Sequence, residues 1–363
     1  MKIINVGIVG LGRISSDHAK SFTDRPGKFR LVALADNDPQ RRQAAWAPHE
    51  SMKDPAIARY ASLEELIAHP GIDMISICTR HPDHVPMAVK CLRAGKSVIV
   101  EKPVATSVAE FDDLMAEAGK STGRVFFRHN RYYEKIHRKA LEVMGSGLIG
   151  EIHTVKLHVA CGFVRRNDWM TMPEYFGGLL SNWGPHMIYQ GLEYIDSPVR
   201  DIWADVRRII SIGEGDDSFQ VILKGENGRT VDIQVTGASA SPCDSLEVIG
   251  SRGTLVGNAA RNRLTARYLE PWLKLRELRP HPENPPMQYG NFDETLAFIS
   301  SEFEGLSGFD LSPLFDAIYA DYVNGTPYPI KDHLVREVVR ITEEAFRISG
   351  FAPIKKFVRK GLN

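Results

Sequence analysis

The chain opens with an apolar run at residues 3–9, breaks at Gly10-Leu11-Gly12-Arg13-Ile14-Ser15, and continues in helix-tolerant residues through Ser21. An unbroken apolar run of strand length, then glycines, then a helix, predicts a buried parallel strand entering a tight turn. Residues 31–35 predict a second such strand, ending at Asp36. Ser62-Leu63-Glu64-Glu65 is a capping box opening a helix that Pro70-Gly71 stops. Residues 72–78 predict a strand, after which Val85, Ala88, Val89 and Leu92 recur at helical spacing until Gly95. Residues 97–101 are the next strand, Ser107-Val108-Ala109-Glu110 is a second capping box, and residues 124–128 complete the series. Such alternation predicts a doubly wound parallel sheet with right-handed crossovers, whose ligands sit at the carboxyl edge of the strands.

After Tyr132 the period changes. A helix ending at Gly145 is followed by β-forming runs at residues 152–160, 201–210, 219–223, 230–236 and 245–249, with Gly225-Glu226-Asn227-Gly228 as a hairpin turn. This predicts a second, α+β domain built on a mostly antiparallel open sheet. One helix layer covers one face and leaves the other to a subunit interface. Between these runs, residues 177–189 read as a helix in which Asn182, His186, Tyr189 and Glu193 form one polar stripe, with Ile188, Leu192 and Ile195 on another face. Imidazole titrates near neutral pH, so His186 is a candidate proton acceptor and Asn182 and Tyr189 are candidate substrate contacts.

The first domain carries the candidate cofactor chemistry. Gly10 permits the tight turn, Gly12 lets the backbone approach a pyrophosphate, and the helix that follows offers unpaired N–H groups at its positive end. Ser15 stands where a third glycine is usual and is still small enough for helix–strand packing. Asp36 is placed to bind adenosine ribose hydroxyls and to repel a 2′-phosphate, favouring NAD over NADP; Arg13 and Arg41-Arg42 pull the other way. An alternative role for Asp36 is to cap a turn with Asn37 and Asp38. The carboxyl edge gathers Gly10, Leu11, Gly12, Arg13, Ile14, Asp36, Asn37, Thr79, Arg80, His81, His84, Glu101, Lys102, Asn130 and Arg131 as candidate cofactor residues. Pro103 holds Lys102 extended, aimed at the crevice where a nicotinamide would lie.

Composition and charge narrow the class. The 45 basic and 45 acidic residues cancel, leaving no electrostatic footprint of a nucleic-acid binder. No apolar run approaches the roughly 18 residues that span a bilayer, and the first residues lead into a core strand, so a cytoplasmic location is expected. Cys78, Cys91, Cys161 and Cys243 lack metal-type spacing and are expected to be buried, reduced thiols. His81-Pro82-Asp83-His84 resembles a metal-ligand spacing without a third ligand, so no metal is expected. Pro280, Pro282, Pro285 and Pro286 suggest a loop over a site or a neighbouring subunit, and Lys355-Lys356 with Arg359-Lys360 a solvated tail.

Taken in order, Gly10-Leu11-Gly12 with His18, Ala94-Gly95-Lys96 before Glu101-Lys102-Pro103, Asn130-Arg131-Tyr132, and Gly177-Gly178 through Gly184-Pro185-His186 resemble the Gfo/Idh/MocA family of sugar and polyol dehydrogenases. The resemblance implies a Rossmann NAD(P)-binding domain (residues 1–128) and a substrate-binding and oligomerisation domain (129–363) whose last helices can pack back on the first. It implies a homodimer or homotetramer through the open sheet. It also implies that Lys102 sits near the nicotinamide and the reacting oxygen, and that His186 is the acid/base. Many relatives carry an aspartate where this chain has Asn182, and another where it has Tyr189. Arg165, Arg166, Asn167 and Trp169 offer donors and an aromatic face for a sugar, or else form a solvated loop with a hydrophobic anchor. The expected reaction is hydride transfer from a secondary sugar or polyol carbinol to NAD, with His186 taking the proton and Lys102 stabilising the alkoxide. Two rivals stand beside it: a redox-neutral glycoside-cleaving or epimerising enzyme with tightly held NAD, and a sugar-responsive binding protein.

Overall fold

The computed structural model describes residues 2–258, 261–277, 279, 296–306, 308 and 312–351. The proline-crowded segment and the basic tail lie outside the described residues. Six parallel strands, β1 (Ile4–Val9), β2 (Phe29–Ala35), β3 (Ala58–Tyr60), β4 (Met74–Ile77), β5 (Ser97–Val100) and β6 (Val125–Phe127), form a sheet in the order β3-β2-β1-β4-β5-β6. The order reverses between β1 and β4, and the glycine turn after β1 lies at that switch point.

The helices of this half are α1 (Arg13–Thr23), α2 (Leu63–Ile67), α3 (His84–Arg93) and α4 (Val108–Ala118). Both capping boxes form: Ser62 accepts from the Glu65 N–H and Ser107 from the Glu110 N–H, each at 3.2 Å. The returning carboxylates reach one residue further back than the motif specifies, Glu65 to the N–H of Ala61 and Glu110 to that of Thr106. Such caps contribute about 1 kcal/mol each.

The second half adds α5 (Lys135–Gly145), α6 (Leu179–Ile195), α7 (Ser312–Asn324) and α8 (Asp332–Ser349), with β7 (Ile152–Ala160), β8 (Val199–Arg207), β9 (Ser218–Gly225), β10 (Thr230–Thr236), β11 (Leu246–Gly250), β12 (Gly253–Asn258), β13 (Arg263–Leu269) and β14 (Phe298–Phe303). These strands form one sheet, ordered β14-β13-β12-β11-β7-β10-β9-β8, antiparallel except between β7 and β10. Alternation sets its two faces. Phe219, Val221, Leu223, Val231, Ile233 and Val235 are buried beneath α6, whereas Lys156, Gln220 and Asp232 point to the other face.

Three departures from the sequence reading have local causes. The strand expected at residues 201–210 ends at Arg207, because the Asp217 carboxylate takes the N–H groups of Ile209 and Ile210 and turns the chain. β12 to β14 carry no expectation, since charges such as Arg263 and Arg267 interrupt their apolar pattern. Cys78 and Cys91 are buried, but Cys161 is half-buried and Cys243 exposed, so the expectation of four buried thiols is corrected for two of them.

The late helices pack back toward the beginning of the chain. Phe315 of α7 meets Phe22 of α1 edge-on at 5.2 Å and Phe29 of β2 at 6.4 Å. α8 packs on α6 and α4, and Arg336 forms a two-pronged pair with Asp112. Among the described residues no helix is long and apolar enough to cross a membrane.

Candidate active site

At the end of β1, Gly10 adopts φ +86° with its Cα against the carbonyl of Cys78, a place where a Cβ would collide. A Cβ on Gly12 would meet nothing closer than Arg41 Nη1 at 3.9 Å, so space remains above the N-terminus of α1. That helix has no side-chain cap and no acid in its first turn. Open space over uncapped N–H groups at a positive helix end fits a pyrophosphate. Ser15 is fully buried and donates to the Gly12 carbonyl at 2.6 Å, so it packs like the glycine it replaces and also braces the turn.

Leu11 is buried, and Ile14 packs partly buried against the same core. The Leu11 N–H is already taken by Asp36 Oδ2 at 2.7 Å, while Oδ1 accepts from the Asp38 N–H at 2.9 Å. Asp36 therefore does cap the turn, as the alternative reading held. Each carboxylate oxygen retains a second lone pair for a hydroxyl. Arg42 donates to the main-chain oxygens of Asp36 and Asn37, which restrains its guanidinium at that turn.

On the β4 side, His84 lies 2.8 Å from the Pro103 carbonyl and 3.2 Å from that of Thr79, tying this loop to the segment after β5. His81 lies 3.0 Å from the Phe176 carbonyl and takes the edge of Trp169 at 4.9 Å. Arg80 stacks over Tyr175 at 4.0 Å. Trp169 thus joins the second half of the chain to the first, while Arg165 and Asn167 are exposed and Arg166 pairs with Asp168. Among the described residues no group of three metal-binding side chains converges; both histidines are engaged with carbonyls.

The centre of the site is the meeting of Lys102 with α6. Lys102 Nζ donates to Asn182 Oδ1 at 2.7 Å and to the Asn182 carbonyl at 3.0 Å. Burial lowers the Lys102 pKa to about 8: Glu101 opposes the shift, and Arg128, Arg131 and Arg13 reinforce it. One turn on, His186 is 8% exposed and its Nδ1 is buried without a hydrogen-bond partner among the described residues. Burial drives its pKa well below the ordinary value, helped by Lys102, Arg131, His129 and Arg128. The expectation of an imidazole titrating near neutrality is corrected accordingly; His186 is neutral at pH 7. Asn130 is 8% exposed with Oδ1 unpartnered, and Arg131 pairs with Glu134 at 2.9 Å while covering Trp183 at 4.5 Å.

The polar stripe of α6 divides. Tyr189 is 1% exposed, stacks on His129 at 4.8 Å, and its hydroxyl accepts from the Lys331 N–H, so it faces the entry of α8 and not the crevice. Glu193 accepts from His137 and Arg138. Tyr189 lies on nearly the same face as His186 but almost one turn further along α6, where His129 and the entry of α8 are its neighbours.

One residue, Asp216, escaped the sequence reading, and so did the pairing made by Arg128, which that reading placed only at the carboxyl edge. Asp216 accepts from the Leu180 N–H at 2.7 Å, and its carbonyl takes the Leu179 N–H, so a carboxylate from the loop before β9 caps the helix that carries His186. Arg128, 2% exposed in side chain, donates to Glu101 Oε1 at 2.5 Å. Neither has a signal in linear spacing, because both act across long separations.

Residues 4–129 match the oxidoreductase family with an NAD-binding Rossmann fold, and residues 137–256 match the GFO/IDH/MocA C-terminal domain. The uncharacterized oxidoreductase YdgJ of Escherichia coli is 28% identical over 260 residues, 70% of each chain. Myo-inositol 2-dehydrogenase of Thermotoga maritima is 23% identical over 265 residues, covering 71% of this chain and 76% of that protein. Glycosyl hydrolase family 109 protein 4 of Phocaeicola vulgatus is 31% identical over 155 residues, 42% of this chain and 30% of its own. In fold, the chain superposes on an NAD-binding protein from Listeria innocua with a TM-score of 0.80, at 21% identity over 96% of this chain and 95% of that one. The chain therefore belongs to the Gfo/Idh/MocA family of NAD-binding oxidoreductases.

Proposed function

We propose that the protein oxidises a secondary hydroxyl of a sugar, glycoside or polyol with NAD as the hydride acceptor. The observation that carries this reading is the pairing of Lys102 with Asn182 one turn before His186, which brings a cation and an unprotonated imidazole from two domains to one crevice. When bound, NAD supplies a two-electron acceptor that takes the carbinol hydrogen as hydride. Residues 10–14 and Asp36 would hold its pyrophosphate and ribose, and the carboxylate at Asp36 would disfavour a 2′-phosphate. His186 takes the hydroxyl proton on the ring nitrogen facing the crevice, and the Lys102 ammonium donates to the oxygen as it becomes an alkoxide, leaving a ketone.

Asn182 fills the place of a carboxylate with a neutral amide; it orients Lys102 and a substrate hydroxyl and carries no proton. Trp169 offers an aromatic face, with Arg165 and Asn167 on the exposed loop beside it. The outward face of the second sheet is the surface by which copies of the chain would associate, and light scattering reads the mass of the assembly. The test of function is NADH formation at 340 nm across a panel of sugars and polyols. Absorbance that never rises, with intact sugars recovered by mass spectrometry, would sink the reading. Cleaved or epimerised sugar without NADH would instead support the redox-neutral alternative, which the family 109 glycosyl hydrolase relative favours.

A further inference from the structure

Glu101 is adjacent in sequence to Lys102 and is 4% exposed, so a buried carboxylate lies within reach of a buried amine. Opposite charges in that situation ordinarily pair. Here they do not. Glu101 Oε1 receives Arg128 Nη1 at 2.5 Å and lies 2.8 Å from His18 Nε2, whose Nδ1 is 2.6 Å from Ser76 Oγ; Oε2 accepts the main-chain N–H of Lys102 at 3.2 Å. With its carboxylate neighbour engaged below, the Lys102 side chain extends to Asn182.

We propose that Arg128 is the positioning residue for Lys102: by holding Glu101 beneath the strand ends, it keeps that carboxylate off the ammonium and leaves Nζ presented to Asn182 and the reacting oxygen. A guanidinium suits this task because its planar fork is rigid and stays charged where it is buried. The side chain has further capacity; Nη2 lies 3.9 Å from Asp17, and Nε and Nη2 have no hydrogen-bond acceptor among the described residues. The electrostatics agree with the geometry. Burial would raise the Glu101 pKa, yet Arg128, His18 and Lys102 pull it below the ordinary carboxylate range, so it stays ionised. Around Lys102 the remaining charged groups are the cations Arg128 beyond β6, Arg131 before α5 and Arg13 on α1, with the titratable His81, His129 and His186 also facing it. Burial is the main reason Lys102 holds its proton loosely; Glu101 opposes that effect and Arg128 adds to it.

This inference rests on Lys102 acting at the reacting oxygen, but its test needs no substrate. Competitive acetylation of the full-length protein with acetic anhydride across pH, read on the Lys102 peptide by mass spectrometry, reports the midpoint of that amine. The wild-type midpoint is expected at about 8. Arg128→Gln frees Glu101 to pair with Lys102 and should raise the midpoint by about 1 to 3 pH units. Glu101→Gln leaves the cations unopposed and should lower it. Because Arg128 also acts on Lys102 directly as a neighbouring cation, the deciding comparison is Arg128→Gln made in the Glu101→Gln background: a rise that disappears there supports the proposal, and a rise of the same size in both backgrounds overturns it. Unchanged midpoints, or shifts of one sign, overturn it. Should Arg128→Gln fail to fold by circular dichroism, Glu101→Gln decides alone, and a midpoint that stays or rises overturns the proposal. Failure to oxidise any sugar would count against the proposed function while leaving these midpoints readable.

Discussion

Lys102 and Asn182 join the two halves of the molecule: the ammonium at the end of one sheet grips both the side-chain and main-chain oxygens of a residue near the start of α6, at 2.7 and 3.0 Å. Since Asn182 is one turn before His186, this contact sets the distance between the cation and the imidazole. Changing Asn182 to Asp adds a negative charge beside both groups and favours their protonated forms. The pH above which turnover declines, set by loss of the Lys102 proton near 8, should then move upward. A pH–kcat profile of Asn182→Asp with an unmoved alkaline limb would refute the coupling.

Removing the amine itself separates binding from chemistry. Lys102→Ala should keep NAD affinity, measured by fluorescence titration, and lose about 10²- to 10³-fold in kcat, the usual effect of deleting one preorganised donor to a developing oxyanion. Its alkaline limb should vanish with the amine.

His186→Ala should lower kcat by about 10²- to 10⁴-fold, the range typical of general acid–base groups. Because burial and the neighbouring cations hold this imidazole neutral through pH 7, the variant should retain the limb near 8. Loss of that limb with His186 would transfer the titration from Lys102 to the imidazole.

Cofactor preference tests Asp36. NAD(H) should bind more tightly than NADP(H), and Asp36→Ala should narrow the gap while loosening the turn at Leu11, whose N–H it holds. Tighter NADP(H) binding by the wild-type protein, in paired fluorescence titrations, would reverse the assignment.

The cap on α6 gives a stability prediction. Burial raises the Asp216 pKa from 3.8 to about 7, against the hydrogen bonds from α6. The folded state then binds more protons than the unfolded state between those values, so this contribution is present below pH 4 and is lost as pH rises through 7. The melting temperature of the wild type relative to Asp216→Asn should fall across that window. Gly178→Ala should destabilise at every pH, by about 1 to 3 kcal/mol from backbone strain at φ +135° and more from collision with Asp216 Oδ1.

Much of this architecture was legible in near-neighbour patterns. Ser62 and Ser107 cap their helices, Gly10 turns the chain, and β7 and β10 run over the residues their alternation marked, because each depends on groups within a few residues. The order of Gly10-Leu11-Gly12, Glu101-Lys102-Pro103 and Gly184-Pro185-His186 likewise sufficed to indicate the family. Tertiary packing decided what those residues are tuned to do. It turned Tyr189 away from the crevice, brought Asp216 to the head of α6 across 36 residues of chain, and set Arg128 against Glu101. Local sequence determines the elements through short-range hydrogen bonding and periodic burial. Desolvation and ion pairing belong to groups that only the folded chain brings together, and they settle which carboxylates are engaged, which imidazoles stay neutral and where Lys102 points.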